Sequence, residues 1–174
     1  MTVFVGIRIP DRASEVLVPV GERIAEELGG KPTRPCNFHL TLRFLGEVSD
    51  CAPICHAMES TAERFNGAFY LTLNGIGTFR QKKRDIYWAG VRDSEPLLRL
   101  GHILGEELDA RGMGSERIPF RPHITLCRNV PVGIPELPEI PSVGFRVEKI
   151  ILFSSEHTDD GVFYREIFQK ELRI

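Results

Sequence analysis

Residues 39–48, HLTLRFLGEV, decide how this 174-residue chain is read, because RPHITLCR at 121–128 repeats their His-x-Thr core. In a strand, residues two apart face the same side, so His39 and Thr41 project together while Leu40 and Leu42 point to the other. His123 and Thr125 repeat this against Ile124 and Leu126. Each stretch therefore has one apolar face and one face that offers an imidazole beside a hydroxyl.

The flanking sequence repeats as well. Residues 3–9 form an apolar run that reads as a buried strand, and Pro10-Asp11 opens a helical pattern carried by Val16, Leu17, Val20, Ile24 and Leu28. Gly29-Gly30 ends it, a loop spans 31–37, and the histidine strand covers 38–45. Further on, a strand at 86–91 precedes a helix carrying Leu97, Leu100, Leu104 and Leu108, a turn with Gly112 and Gly114, and a strand at 123–126. His39 comes 36 positions after Val3, and His123 comes 37 after Ile86. This is the signature of an internal duplication.

After each histidine strand a connection leads to another strand, at 69–79 and at 143–153. The first connection, 49–65, reads as a helix. The second holds Pro131, Pro135, Pro138 and Pro141 and reads as an extended loop. A last strand at 162–171 follows the turn signal Asp159-Asp160-Gly161. The predicted fold is α+β: one bilobal, pseudo-two-fold duplicated domain over 1–174, with two antiparallel sheets lining a central cleft and helices outside.

Two such strands meeting across a cleft would surround one point with two imidazoles and two hydroxyls. That set suits in-line displacement at phosphorus, where one group takes a proton from attacking water and another gives one to the departing sugar oxygen. An imidazole with an ordinary pKa near 6.5 can fill either role. The threonine hydroxyls can hydrogen-bond the non-bridging phosphate oxygens. Arg43, in phase with His39 and Thr41 on a regular strand, is a candidate cation for the charge that builds up in the transition state.

Composition narrows the alternatives. A net charge of −2 argues against a protein that coats nucleic acid nonspecifically. No apolar stretch approaches the roughly 18 to 20 residues that span a bilayer, and the opening MTVFVGIRIP has no basic region ahead of its apolar run, so a cytoplasmic, membrane-free protein is expected. Cys36, Cys51, Cys55 and Cys127 contain no CxxC pair and predict no disulfide framework. Cys51, Cys55 and His56 lack the partners and spacing of a structural zinc site.

HLTLRFLGEV and RPHITLCR resemble the paired motifs of the 2H phosphoesterase superfamily, and its RNA 2',3'-cyclic phosphodiesterase branch, also called 2'-5' RNA ligase-like, above all. The likeness runs from FVGI at 4–7 through YWAGV at 87–91 to GVFYREI at 161–167. It implies hydrolysis of a terminal cyclic phosphate to a 2'-phosphomonoester, without metal or cofactor. His39 would be the general acid on the leaving 3' oxygen, His123 the general base on water, and Thr41 and Thr125 would grip phosphate. It also favours Arg128 as a phosphate-binding cation, although Arg128 is out of phase with His123 and needs a bulge to turn it inward.

The implied partner is RNA ending in a 2',3'-cyclic phosphate, or a small cyclic nucleotide, and the chain is expected to be a monomer. Lys31, Arg34, Arg117 and Arg121, and the loop FRQKKR at 79–84, could guide an RNA backbone. Phe44, Tyr87 and Trp88 could stack on bases, against the plainer reading of core aromatics. Three alternatives stay open: 2'-5' joining of RNA ends, hydrolysis of a small cyclic nucleotide, and a noncatalytic RNA-binding module.

Overall fold

The structure is a computed structural model and describes residues 1–114, 119–132 and 138–172. Its elements run β1 (Thr2–Arg8), α1 (Asp11–Leu28), β2 (Lys31–Pro32), a 3-10 turn (Pro35–Asn37), β3 (His39–Glu47), α2 (Ala52–Phe65), β4 (Phe69–Phe79), β5 (Arg84–Val91), α3 (Glu95–Asp109), β6 (Ile124–Pro131), β7 (Gly144–Val147), β8 (Lys149–Thr158) and β9 (Gly161–Glu171). The strand order is β7-β4-β5-β6-β3-β1-β8-β9, with β2 paired to β6. Together the strands form one nine-stranded sheet, whose halves β7-β4-β5-β6 and β3-β1-β8-β9 correspond to the two sheets expected. The halves join through one antiparallel pair, Leu40↔Ile124.

That pair is the centre of the duplication: β1 lies beside β3 as β5 lies beside β6, one on each side of it. The apolar stripes of the helices explain the layering. Leu17, Val20 and Ile24 of α1, Ile54, Met58 and Phe65 of α2, and Leu97, Leu100 and Leu104 of α3 bury themselves with Val3, Val5 and Ile7 of β1 in one core. Phe4, Ile151 and Phe153 form a separate cluster, with Tyr164 against it. Helices therefore cover one side of the sheet, and the alternating residues of β1 look out on the other. Among the described residues no helix is long and apolar enough to cross a membrane.

Two details differ from expectation. The run 143–153, read as one strand, is two: β7 pairs with β4, while β8 pairs with β1 and β9. Glu148 lies between them, and its carbonyl accepts the Leu172 N–H at 2.7 Å, so the chain leaves one lobe for the other at that residue. The loop 31–37 also holds more structure than expected, because Lys31 and Pro32 pair with Arg128 and Cys127. Of the proline-rich connection, residues 133–137 lie outside the described residues, Pro135 among them; Arg117 does too.

α1 belongs to the first lobe in sequence but packs behind β6 of the second. Gly21 permits this: a Cβ there would lie 2.8 Å from the Leu126 carbonyl oxygen. Gly21→Ala has to push a helix off a strand, and should lower stability by about 1–3 kcal/mol in urea denaturation despite alanine's better helix propensity. An unchanged midpoint would show that this helix-strand contact has slack.

Candidate active site

The Leu40↔Ile124 pair fixes how the two motifs face one another. One antiparallel step to either side sets His39 across from Thr125 and Thr41 across from His123. The cavities follow this crossed arrangement. His39, Thr125 and Arg128 line one of about 320 Å³, and Thr41 and His123 line another of about 780 Å³. Each histidine thus sits beside the hydroxyl of the other lobe.

Immediately after each threonine the strand bulges. β1 pairs Gly6 with Thr41 and Val5 with Arg43, which leaves Leu42 as the extra residue. β5 pairs Trp88 with Thr125 and Tyr87 with Cys127, which leaves Leu126 extra. A bulge reverses the alternation of every residue beyond it. In the second lobe this puts Cys127 on the helix side, fully buried with its thiol pushed up to about 11 by burial. Arg128 turns to the cleft, where it lines the cavity that holds His39 and Thr125.

In the first lobe the same bulge moves Arg43 off the catalytic face. Val5, its partner in β1, is a core residue, so Arg43 points toward α3, where its guanidinium lies against Gly105 and Nη2 donates a long 3.4 Å hydrogen bond to the Gly101 carbonyl. Among the described residues its buried Nε has no hydrogen-bond partner. The strand phase that recommended Arg43 is therefore broken at Leu42. Arg43 still borders the larger cavity from behind. Phe44, opposite Phe4 in β1, takes the cleft position instead and is 59% exposed.

Both imidazoles are held alike. His39 Nδ1–H donates to the Asn37 carbonyl at 2.7 Å, and His123 Nδ1–H donates to the Arg121 carbonyl at 2.8 Å. A carbonyl can only accept, so Nδ1 carries the proton in both rings and Nε2 is left for chemistry. Asn37 is itself tied across the lobe: its Nδ2 donates to the Val162 carbonyl at 2.8 Å and its Oδ1 accepts the Tyr164 N–H at 3.2 Å.

Aromatic rings complete each pocket. His39 sits against Phe4 and Tyr164, both at 4.7 Å between centroids, with Phe153 at 5.9 Å. His123 lies edge-on to Phe79 at 4.8 Å, with Trp88 at 6.1 Å. Burial disfavours the charged ring. It lowers the His39 pKa to about 4, helped by the charges of Arg128, His123 and Arg8 and opposed by the hydrogen bond to Asn37. His123 is lowered for the same first reason, with Arg128 adding to it. The charge of one guanidinium, that of Arg128, thus lowers the pKa of both histidines.

Of the other basic candidates, Lys31 and Arg34 line the His39 cavity and Arg121 lines the His123 cavity. Arg80 is engaged 3.7 Å from the buried Asp85. Tyr87 is core, whereas Trp88 is only half-buried beside His123. Asn37, Tyr164, Phe4, Phe153 and Arg8 went unnoticed in the sequence. Tyr164 falls within GVFYREI, but nothing local to that stretch connects it to His39. Among the described residues no group of three His, Cys, Asp or Glu side chains is arranged to hold a metal.

Known proteins resemble this chain in both sequence and fold. The family model for LigT like Phosphoesterase matches residues 7–87. An RNA 2',3'-cyclic phosphodiesterase of Thermus thermophilus is 31% identical over 186 residues, covering 99% of this chain and 91% of that one. One from Geobacillus stearothermophilus is 35% identical over 127 residues, which is 67% of this chain but 40% of that longer protein. The crystal structure of Escherichia coli LigT complexed with 3'-AMP has a TM-score of 0.80 at 27% identity, covering 98% of this chain and 97% of that chain. A relative matched along nearly its whole length, and a shared fold that sets the two His-x-Thr strands face to face, place this chain in the LigT-like phosphoesterase family.

Proposed function

We propose that this chain hydrolyses RNA 2',3'-cyclic phosphate ends to 2'-phosphomonoesters by acid-base catalysis between His39 and His123. The observation that carries the reading is the pair of imidazoles fixed alike through Nδ1, each beside the other lobe's threonine, with Arg128 acting on both. The relatives' names point to hydrolysis rather than joining.

Water attacks phosphorus opposite O3'. His123 Nε2 takes the water proton, the P–O3' bond breaks, and His39 Nε2–H protonates O3' as it leaves. Thr41 and Thr125 donate to the non-bridging oxygens, and Arg128 offsets the charge they gather. Arg43, behind the bulge, supports the larger cavity from the α3 side and lends charge from a distance. RNA or a small cyclic nucleotide is the partner. Activity should be undiminished by EDTA, and inhibition reversed by a divalent cation would overturn the two-histidine scheme.

His39 needs a proton to act as an acid, yet in the free protein burial and Arg128 keep it neutral at pH 7. A bound anion offsets Arg128 and raises the His39 pKa. Binding therefore takes up a proton between the free and bound values, and affinity strengthens as pH falls through that window. NMR titration of the His39 ring with and without sulfate, which itself does not titrate there, checks this. The midpoint should move up from about 4. An unmoved midpoint would remove His39 from the acid role.

A further inference from the structure

The short turn Pro35–Asn37, just before the His39 strand, is bonded from two sides. Arg8 of β1 donates from Nη1 to the Cys36 carbonyl at 2.6 Å and pairs with Glu166 of β9. Arg34 donates from Nη2 to the Val162 carbonyl at 2.6 Å, the same oxygen that Asn37 Nδ2 reaches at 2.8 Å. With Oδ1 accepting the Tyr164 N–H, both ends of the Asn37 amide are spent on β9, and the residue is only 8% exposed. Its main-chain carbonyl is the acceptor for His39 Nδ1. Arg121 holds the matching place two residues before His123, but its guanidinium lies over the Phe79 ring, 6.0 Å from the centroid. The acceptor of His39 is thus tied to a strand 125 positions away, while that of His123 is braced within its own lobe.

We infer that Asn37 is the positioning residue of His39: clamped to β9 through its side chain, it aims its own carbonyl at Nδ1 and so keeps Nε2 free for the substrate. Which ring nitrogen carries the proton is set by the hydrogen bond that the other side of the ring makes. A carbonyl whose direction is fixed holds one tautomer and one ring orientation, whereas a loosened carbonyl lets the proton distribute between both nitrogens and the ring turn away from the line of reaction. The clamp survives shortening of Asn37 in part, because the Val162 carbonyl keeps its bond from Arg34. Loss of the amide therefore frees the acceptor without undocking β9. The effect on turnover rests on the hydrolytic reading; the effect on the ring does not.

The test reads the ring nitrogens of both histidines by ¹⁵N NMR at about pH 8, where neutral imidazoles prevail. In the parent protein both rings should carry the proton on Nδ1. Asn37→Ala should leave His39 as a mixture of the two tautomers while His123 stays as it was. It should also lower kcat on a cyclic-phosphate-ended oligonucleotide by about 10- to 100-fold, the cost of a misplaced reacting group. Asn37→Asp keeps the size of the side chain and the bond from Tyr164 but sets an oxygen against the Val162 carbonyl. It should shift His39 in the same way, and it carries the test if the alanine variant does not fold. A His39 ring that keeps Nδ1–H in both variants would overturn the proposal, as would an equal change in both histidines, which marks Asn37 as structural only. A His39 shift in a protein whose parent opens no cyclic phosphate would sink the hydrolytic reading and uphold the positioning role.

Discussion

His123→Ala should lower turnover of a 2',3'-cyclic-phosphate-ended oligonucleotide by about 10²- to 10⁴-fold, and His39→Ala by a similar factor, the usual contribution of one positioned proton transfer. The two losses arise differently. Without His123 the attacking water keeps its proton, and without His39 the 3' oxygen leaves as an alkoxide. Because both act in one concerted displacement, the double variant should be only a little slower than the poorer single one. Either single variant retaining the parent rate would refute the division of labour. Gln at each position is a useful companion, since its amide can keep a hydrogen bond to the Asn37 or Arg121 carbonyl while carrying no titratable proton.

Arg128→Ala should cost about 10²- to 10³-fold, comparable to loss of one strong donor at a developing charge. It also has a signature that a structural defect lacks. The Arg128 charge opposes protonation of both imidazoles, so its removal should raise the titration midpoints of His39 and His123 together. An acid-base pair gives a bell-shaped pH profile, and that profile should shift alkaline accordingly. Lysine would restore the charge without the two-pronged geometry, and should recover the midpoints better than the rate. Arg43→Ala, by contrast, should move neither midpoint appreciably and should act through the packing of α3 on β3.

Much of this site was legible in the sequence because it rests on short-range regularities. His39 and Thr41, like His123 and Thr125, share a face by strand alternation alone, and the spacing from Val3 and Ile86 shows the two stretches to be copies. The bulges at Leu42 and Leu126 were not legible. Both residues are leucines in apolar positions, so a regular strand and a bulged one read the same, and the pairing with β1 or β5 is what shows the extra residue. That hidden step exchanges Arg43 for Phe44 on the catalytic face and brings in Arg128 in place of Cys127.

The surroundings of His39 were hidden for another reason. Asn37 meets Val162 and Tyr164 across more than 120 positions of chain, a contact fixed only when β9 closes the sheet edge beyond β8. The division of 143–153 into β7 and β8 is similar, since both halves have strand composition and only their different partners separate them.

The central claim is that two imidazoles open a cyclic phosphate with loss of the 3' oxygen. Its most direct test is ³¹P NMR of the product formed from a 2',3'-cyclic-phosphate-ended oligonucleotide by the parent protein in the presence of chelator. Beside the internal phosphodiester signals, the expected spectrum contains a 2'-phosphomonoester as its sole terminal phosphate. A 3'-phosphomonoester, or an unopened cyclic phosphate after prolonged incubation with active-site-intact protein, would contradict it.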